Sequence, residues 1–236
     1  MIEVTPPEPT QTTAVPLELR TTRGKLAPPE EIPRLLEERI VLGMPDPVRL
    51  SADTVAADDE LRAFMTAENA SVAYWLVAFT CTFDHDDELP FTTTWIELKL
   101  SPEGNAVARS LEPMVLSDEA PPLSWTAKIA FPCVLQPEVG LGGQITREKL
   151  FCEASYEGTA KPSWRYYATH RKAIRGQQRM RLIVRMPRSA EASCTVRAGA
   201  TAKHERLVGS DLSYTTPVAE PKPWFTLGAV NGQQEG

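Results

Sequence analysis

The hydrophobic positions of this 236-residue chain follow two different periods, and the change falls at about residue 70. In the first part, Ile32, Leu35, Leu36 and Ile40 recur at helical spacing, which places them on one face of a predicted helix. A second helix is predicted over about residues 58–68, where an aspartate can cap the first turn. The pattern before residue 70 therefore predicts a short helical region.

Beyond residue 70, hydrophobic and polar side chains alternate, which is the period of a β-strand. Residues 71–83 carry large apolar side chains at both sets of alternate positions, so we expect a central strand that is covered on both sides. In residues 91–100, Ile96, Leu98 and Leu100 lie on one face and charged residues on the other. Further strands are predicted at residues 109–116, 123–131, 149–156, 163–169, 178–186 and 192–203.

These strands follow one another without long helices between them, which argues against a parallel sheet with crossover helices. The predicted fold class is mainly β: an antiparallel β-sandwich or jelly-roll-like body with two short N-terminal helices. The predicted organisation is a disordered arm (1–13), a helical N-terminal segment packed on the body (14–70), the β-sandwich body (71–206) and an extended tail rich in proline and aromatic residues (207–236).

The charges are distributed unevenly along the chain. Residues 1–159 hold 12 Lys and Arg against 26 Asp and Glu, a net charge of −14. Residues 160–206 hold 12 against 2, a net charge of +10, and the whole chain carries −6. A basic segment that follows a long acidic one indicates either a binding surface or charge pairing within the chain.

The basic segment supplies most of the candidate binding residues. Arginines at alternate positions of the strand predicted at 178–186 share one face, and more cations lie just before it, near Tyr166 and Tyr167. Arginine binds phosphates and carboxylates in a bidentate manner, and aromatic rings stack on bases or guanidinium groups. The candidate partner- or phosphate-binding residues are Arg165, Arg171, Lys172, Arg175, Arg179, Arg181, Arg185, Trp224 and Phe225.

Alternatives remain open for both groups of candidates. The cations can form a face for a protein partner, for nucleic acid or for a phosphate-bearing ligand, they can pair with the acidic half of the same chain, or they can serve solubility alone. The pI of about 5.3 is lower than expected for a dedicated nucleic-acid binder. Trp224 and Phe225, in the proline-rich tail, can dock back onto the domain or insert into a pocket of a partner.

The sequence contains no recognisable catalytic or metal-binding motif. Its four cysteines form no CxxC pair, and its three histidines belong to no known catalytic pattern. Carboxylates cluster at residues 84–88, but they lack the spacing of an EF-hand loop, and residues 140–143 lack the lysine of a P-loop. We therefore predict no catalytic residues, no metal and no cofactor. Enzymatic activity is the less favoured expectation.

No apolar run is long enough to span a bilayer, and the N-terminus lacks the pattern of a secretory signal. With four cysteines interpreted as reduced thiols, the expectation is a cytoplasmic protein with no membrane contact. The composition, rich in Ala, Arg and Pro, is compatible with a bacterium of high-GC genome.

The function predicted from these features is a non-enzymatic protein-interaction or assembly module that binds another protein or a second copy of itself. The alternative is the binding of a phosphate ligand or nucleic acid through residues 161–188. A hydrolase with an unrecognised acidic site is the third and least favoured hypothesis, since paired carboxylates have no fixed spacing in sequence.

Overall fold

The computed structural model describes residues 2–23, 39–54, 59–68, 70–84, 90–130, 134–135, 146, 148–203, 211–215 and 223–228. The fold is mainly β, with three antiparallel sheets. Within the described ranges there is one α-helix, α1 (Asp59–Glu68), and one short 3-10 helix (Pro102–Gly104). No described helix has both the length and the apolar character needed to cross a membrane.

The strands are numbered in chain order. They are β1 (Ile2–Val4), β2 (Thr12–Ala14), β3 (Glu18–Arg23), β4 (Ile40–Gly43), β5 (Val48–Leu50), β6 (Val72–Phe83), β7 (Phe91–Leu100), β8 (Val107–Glu112), β9 (Val115–Ser117), β10 (Ala127–Ala130), β11 (Val134–Leu135), β12 (Leu150–Ser155), β13 (Ser163–Tyr167), β14 (Gly176–Pro187), β15 (Ala192–Lys203), β16 (Asp211–Thr215) and β17 (Phe225–Leu227).

Three sheets organise these strands. The six-stranded sheet has the order β2-β4-β6-β14-β8, with β5 paired to β6 beside this path. The eight-stranded sheet has the order β3-β16-β15-β7-β13-β12-β9, with β17 paired to β15. The three-stranded sheet has the order β1-β10-β11. The chain passes directly from the six-stranded to the eight-stranded sheet between β8 and β9.

The centre of the six-stranded sheet is the long antiparallel pair of β6 and β14, which runs from Val72 opposite Pro187 to Phe83 opposite Gly176. Alternate residues of β6 enter two different buried clusters. Val77, Phe79, Cys81 and Phe83 join the larger cluster, whereas Tyr74 and Leu76 join a smaller cluster with residues of α1, β1 and β10. The prediction of a central strand covered on both sides is therefore confirmed.

The larger cluster joins the six-stranded and eight-stranded sheets. The ring of Phe79 in β6 meets that of Trp164 in β13 edge to face, with 5.5 Å between centroids, and Phe83 meets Tyr166 at 5.2 Å. Edge-to-face contacts at this distance are favourable for aromatic rings. The inward faces of both sheets thus share one apolar core.

The prediction of two N-terminal helices is wrong in part. The second helix is confirmed as α1. Residues 24–38, which carry most of the first predicted helix, lie outside the described residues. Its last position, Ile40, begins strand β4 instead, where it lies opposite Phe83 and is fully buried. Pairing with the edge of β6 buries Ile40 and Leu42 on one side, which outweighs the helical spacing of the local sequence.

The segments that the sequence assigned to an arm, a helical region and a tail all contribute strands to the sheets. Residues 1–13 supply β1 and most of β2, the region up to residue 70 adds β3, β4 and β5, and the tail adds β16 and β17. The structure places them against the body through pairing with distant strands, as β1 pairs with β10.

Candidate binding face

Arg179, Arg181 and Arg185 lie on one face of β14, as their alternate spacing predicted. Between them Ile183 is fully buried in the smaller cluster, together with Met65 of α1 and Ile129 of β10. The face that carries these arginines is therefore covered by other parts of the chain.

Arg181 is the most deeply buried of the three, with only 1% of its surface exposed. It lies directly opposite Glu112 of β8, which is equally buried. Its Nε donates to Glu112 Oε2 at 2.9 Å, and its Nη2 forms a second contact with the same oxygen. Its Nη1 donates to the carbonyls of Ser124 and Trp125, at 3.1 and 3.3 Å. The guanidinium is thus directed toward acceptors of its own chain.

The two neighbouring arginines also contact the chain itself. Arg179 Nη1 donates to the carbonyl of Leu123 at 3.3 Å, and its guanidinium lies 5.9 Å from the ring centroid of Trp125. Arg185 Nη2 lies 3.7 Å from Glu68 Oε2, at the end of α1. This side of β14 holds the loop before β10 and the end of α1 in place.

The remaining candidates in the connection before β14 are spread over different surroundings. Arg171 pairs with Glu119 at the surface. Lys172 Nζ lies 4.1 Å from the centroid of the Phe151 ring, and burial lowers the pKa of this lysine while nearby Asp118 acts in the opposite direction. Arg175 is exposed. Arg171, Arg181 and Arg185 thus pair with Glu119, Glu112 and Glu68, all from the acidic part of the chain.

Trp224 and Phe225 are buried in the larger cluster. The ring of Trp224 lies 5.0 Å from that of Phe79, and the backbone N–H of Trp224 donates to the carbonyl of Cys194 at 2.7 Å. Strand β17 pairs with β15 along the same stretch. Of the two placements considered from sequence, the structure has the one in which these rings dock onto their own domain, so they are not exposed anchors for a partner.

Arg165 differs from the other candidates, because it is exposed on the side of the eight-stranded sheet that faces away from the core. Strand pairing aligns one residue from each of five neighbouring strands across this side. From β9 to β15 they are Val115, Glu153, Arg165, Trp95 and Gly199. The next level holds Ser163, Glu97 and Arg197, and the level on the other side holds Tyr167, Thr93 and Thr201. We call this surface the polar face, defined by Trp95, Glu97, Lys99, Glu153, Arg165, Tyr167 and Arg197.

Trp95 is held close to the sheet by the glycine beside it. A Cβ atom added at Gly199 would lie 2.6 Å from Trp95 Cε2 and Nε1, so the indole occupies the space above the glycine backbone. Trp95 itself is only partly buried, whereas Gly199 beneath it is buried. Glycine in the middle of a strand marks a place where another group approaches the backbone closely.

On β13, Arg165 lies opposite Trp95 in the strand pairing, and Tyr167 lies one level further along, opposite Thr93. The hydroxyl of Tyr167 donates to Glu153 Oε1 on β12, across the strand boundary. Burial, and then this hydrogen bond to Glu153, raise the pKa of Tyr167, and the neighbouring Arg165 acts in the opposite direction. At neutral pH the phenol therefore stays protonated and holds the carboxylate in a fixed position beside Arg165.

The buried cluster on the opposite side of these strands, to which β6 also contributes, has a different chemistry. Cys81 of β6 and Cys152 of β12 are fully buried free thiols, and Tyr166 lies beside Cys152 in the strand pairing. Burial raises the pKa of Cys81, of Cys152 and of the Tyr166 hydroxyl, so all three remain protonated and unreactive near neutral pH. In the described ranges, no three His, Cys, Asp or Glu side chains come together as a metal site would need. Most of the carboxylate cluster at 84–88 lies outside those ranges.

Of the polar face, only Arg165 was among the predicted binding residues; Tyr167 was noted as an aromatic neighbour and Arg197 belonged to the basic segment, whereas Trp95 and Gly199 were missed. The alternation of residues along β7 already indicated that Trp95 lies on the polar face. Trp95 shares its alternate positions with Glu97 and Lys99, and not with the apolar residues of β7. A tryptophan on the charged side of an alternating strand is placed away from the core.

Compared with known proteins, the chain matches no protein-family model and no curated protein sequence.

Proposed function

We propose that this protein is a non-enzymatic interaction or assembly module of the cytoplasm, whose two larger sheets form a β-sandwich and whose polar face binds a protein partner. The observation that carries the proposal is the indole of Trp95, held over Gly199 beside Arg165 on the side of the sheet away from the core. Buried free thiols at Cys81, Cys152 and Cys194 support a reducing compartment.

The types of residue on the polar face support a protein partner. Tryptophan, tyrosine and arginine contribute most of the binding energy in many protein interfaces. Here Trp95, Arg165 and Tyr167 lie on two adjacent strands of a rigid sheet. Strand pairing fixes their backbone positions, so the backbone needs no further ordering when a partner binds.

The charges of the polar face favour a protein over a polyanion. Arg165 lies opposite Glu153, and Arg197 lies opposite Glu97, in the strand pairing. A surface for nucleic acid would present cations without matching carboxylates, because its affinity comes mainly from contacts to phosphates. With Lys99, the polar face holds three cations and two carboxylates, and such mixed charges side by side favour a partner surface of similarly mixed charge.

The alternative of phosphate binding through residues 161–188 receives less support. Arg179, Arg181 and Arg185 are turned toward acceptors of the same chain. The hydrolase hypothesis would require a cleft with convergent carboxylates. In the part of the chain that the structure describes, Glu68, Glu112 and Glu119 instead lie against Arg185, Arg181 and Arg171.

The experiment is capture of protein partners on the immobilised chain, with Trp95→Ala and Arg165→Ala compared with the wild type. We expect both variants to weaken capture by at least about tenfold, because they remove candidate anchor residues. The matched control is Tyr156→Ala, which removes an aromatic ring that is 63% exposed outside the polar face. Equal capture by folded Trp95→Ala and wild-type protein would overturn the proposal, as would stronger binding to an oligonucleotide than to any protein.

A further inference from the structure

The last described segment of the chain, residues 223–228, fills a groove between the two larger sheets, and we call it the clasp. We propose that this groove is a docking site for an extended segment of a protein partner, and that the clasp occupies it when no partner is bound. The aromatic rings of the clasp lie in the larger buried cluster, on the side of the sheet opposite to the polar face. The inference therefore goes beyond the function proposed above and does not depend on it.

The clasp binds by adding a short strand to the edge of a sheet. Strand β17 pairs antiparallel with β15, with Phe225 opposite Cys194 and Leu227 opposite Ala192. The backbone N–H of Trp224 adds a hydrogen bond to the carbonyl of Cys194. Strand addition uses main-chain groups that every protein carries, so a segment of another protein can pair with β15 in the same way.

The side chains of the clasp define which segments fit the groove. Phe225 and Leu227 are buried, and Thr226 between them is exposed, as strand alternation requires. Trp224 is also buried, and its ring meets that of Phe79 in β6 edge to face, with 5.0 Å between centroids. The groove therefore fits two adjacent aromatic residues that are followed, two positions later, by an aliphatic one.

Contacts that do not involve the clasp hold the wall of the groove in place. On its other edge β15 pairs with β7, where Cys194 lies opposite Leu100. Beside this pair, the Ser101 N–H donates to the Ser193 carbonyl at 2.8 Å, and the Ser193 N–H donates to Ser101 Oγ at 3.1 Å. We therefore expect the groove to keep its form when the clasp leaves it.

Two features weaken the binding of the clasp. Its strand covers only three residues of β15, and Pro223 before it has no N–H with which to extend the pairing. Within the described ranges, the indole Nε1 of Trp224 is buried without a hydrogen-bond partner. This donor loses the hydrogen bond that water would supply, which offsets part of the gain from burying the ring. Because simple release would expose aromatic surface to water, replacement by a similar segment is favoured.

Thiol labelling, read by mass spectrometry of the digested chain, tests whether the clasp leaves while the rest stays folded. Cys194 lies beneath the clasp, and Cys152 on β12 is the matched control, since both are fully buried free thiols. In the wild type we expect Cys194 to react at least about tenfold faster than Cys152, because local opening is more frequent than global unfolding. A Cys194 rate equal to or below that of Cys152 would overturn the inference.

The double variant Trp224→Ala with Phe225→Ala tests the groove itself. Loss of both rings should raise the Cys194 rate at least about tenfold further and leave Cys152 unchanged. A synthetic peptide of residues 223–228, added in excess, should then slow the labelling of Cys194 again, whereas the same peptide with both aromatic residues replaced by alanine should not. If the folded variant gains no protection from the unmodified peptide, the groove is not a docking site. Should the variant not fold, fluorescence polarisation of the labelled peptide with the wild type gives the same decision.

Light scattering decides where the docking segment comes from. The wild type should have the 26.1 kDa mass of one chain over a range of concentrations. A mass that doubles with concentration in the wild type, but not in the double variant, would mean that two copies exchange their clasps, and would overturn the assignment to a different protein.

Trp95→Ala separates this inference from the proposed function. It should weaken capture through the polar face and leave the labelling of Cys194 unchanged, because the indole lies over Gly199 on the other side of the sheet. Failure of peptide protection with capture still dependent on Trp95 would refute the docking groove and keep the polar face.

Discussion

Arg181 on β14 and Arg165 on β13 lie in similar local sequence patterns, but Arg181 is buried in the structure and Arg165 is exposed. Each alternates with apolar residues along its strand, so each lies on the polar side of an amphipathic β-strand. Arg181 is covered by the chain and bound to Glu112, Ser124 and Trp125, whereas Arg165 remains exposed beside Trp95.

The comparison shows that the elements packed over a strand, and not the strand's own sequence, decide whether its arginines are buried in internal contacts or exposed. On the six-stranded sheet, α1 and the loop before β10 cover the polar side, so its arginines have become part of the internal structure. On the eight-stranded sheet the corresponding positions keep exposed and partly exposed side chains. Variants of the two regions should therefore differ in whether they change stability or association.

The largest effect should come from Arg181→Met. Removal of one partner from a buried ion pair leaves Glu112 charged and poorly compensated, which costs about 3–5 kcal/mol of unfolding free energy. Urea unfolding measures the loss, and Arg165→Met on the other sheet is the matched variant, with an expected change below about 1 kcal/mol. Equal losses for the two variants would break the comparison.

The double variant Arg181→Met with Glu112→Leu tests whether the loss of stability comes from the unpaired charge of Glu112. It removes both charges, so it should be more stable than Arg181→Met alone. The recovery should be incomplete, because the carbonyls of Ser124 and Trp125 lose their donor in both variants.

A smaller effect is expected for Gly199→Ala on the polar face. The added methyl group would lie 2.6 Å from the Trp95 ring, and relief of this overlap should cost about 1–2 kcal/mol. Displacement of the indole should shift its fluorescence to the red and weaken association. In a Trp95→Ala background the same glycine change should be neutral or stabilising, and a persistent cost there would contradict the packing of the ring on the glycine.

Alkaline pH should separate the groups of the larger buried cluster from those of the polar face. Burial raises the pKa of Cys81, Cys152 and Tyr166, and that of Cys194 to about 12. An unfolded chain releases thiol protons near pH 8.5, before the folded chain does, so these groups stabilise the fold fully below that pH. Their contribution falls as the pH rises toward the folded values, by about 1.4 kcal/mol per pH unit for each group.

Urea unfolding between pH 7 and pH 11 measures this slope under reducing conditions. Cys152→Ala should reduce the slope of unfolding free energy against pH by up to about 1.4 kcal/mol per pH unit, the contribution of one group. The small cavity that it leaves should also lower the stability at pH 7. Phenolate absorbance adds a second readout, in which Tyr167 ionises in the folded protein and Tyr166 ionises only as the protein unfolds. Simultaneous ionisation of both tyrosines below the unfolding transition would contradict the burial of Tyr166.

The smallest effect is expected for Arg171→Ala. Arg171 and Glu119 form an ion pair at the surface, with side chains 66% and 51% exposed. Solvent-exposed pairs contribute about 0–1 kcal/mol, so the midpoint of urea unfolding should hardly change. A loss of unfolding free energy as large as that for Arg181→Met would contradict the solvent exposure of the Arg171–Glu119 pair.

The parity of residues along β7, β13, β14 and β15 could be predicted from sequence, and with it the sides on which Trp95, Arg165 and Arg181 lie. Period-two alternation fixes which residues share a face, because side chains alternate strictly along a strand. The strands that carry the clearest alternation were predicted within a few residues of their observed ends, as β7 and β15 show.

The sequence pattern could not predict which segments of the chain pack over each face of the two sheets. Glu112 and the carbonyls that bind Arg181 are 56 to 69 positions away in sequence. Strand order and sheet contacts arise from such distant pairs, which no local pattern records. The short strands β1, β4 and β17 were missed for the same reason, since each is defined by a partner strand more than by its own residues.

The passage from β8 to β9 has a mechanical consequence. Between Glu112 and Val115 the chain makes only three Cα–Cα steps, which span about 11 Å at full extension. A connection of three steps leaves β8 and β9 little freedom to move apart. Its first end is fixed by Arg181 and its second end lies at the edge of the polar face. We therefore expect a displacement of that edge to be transmitted along this short connection to the Glu112–Arg181 pair.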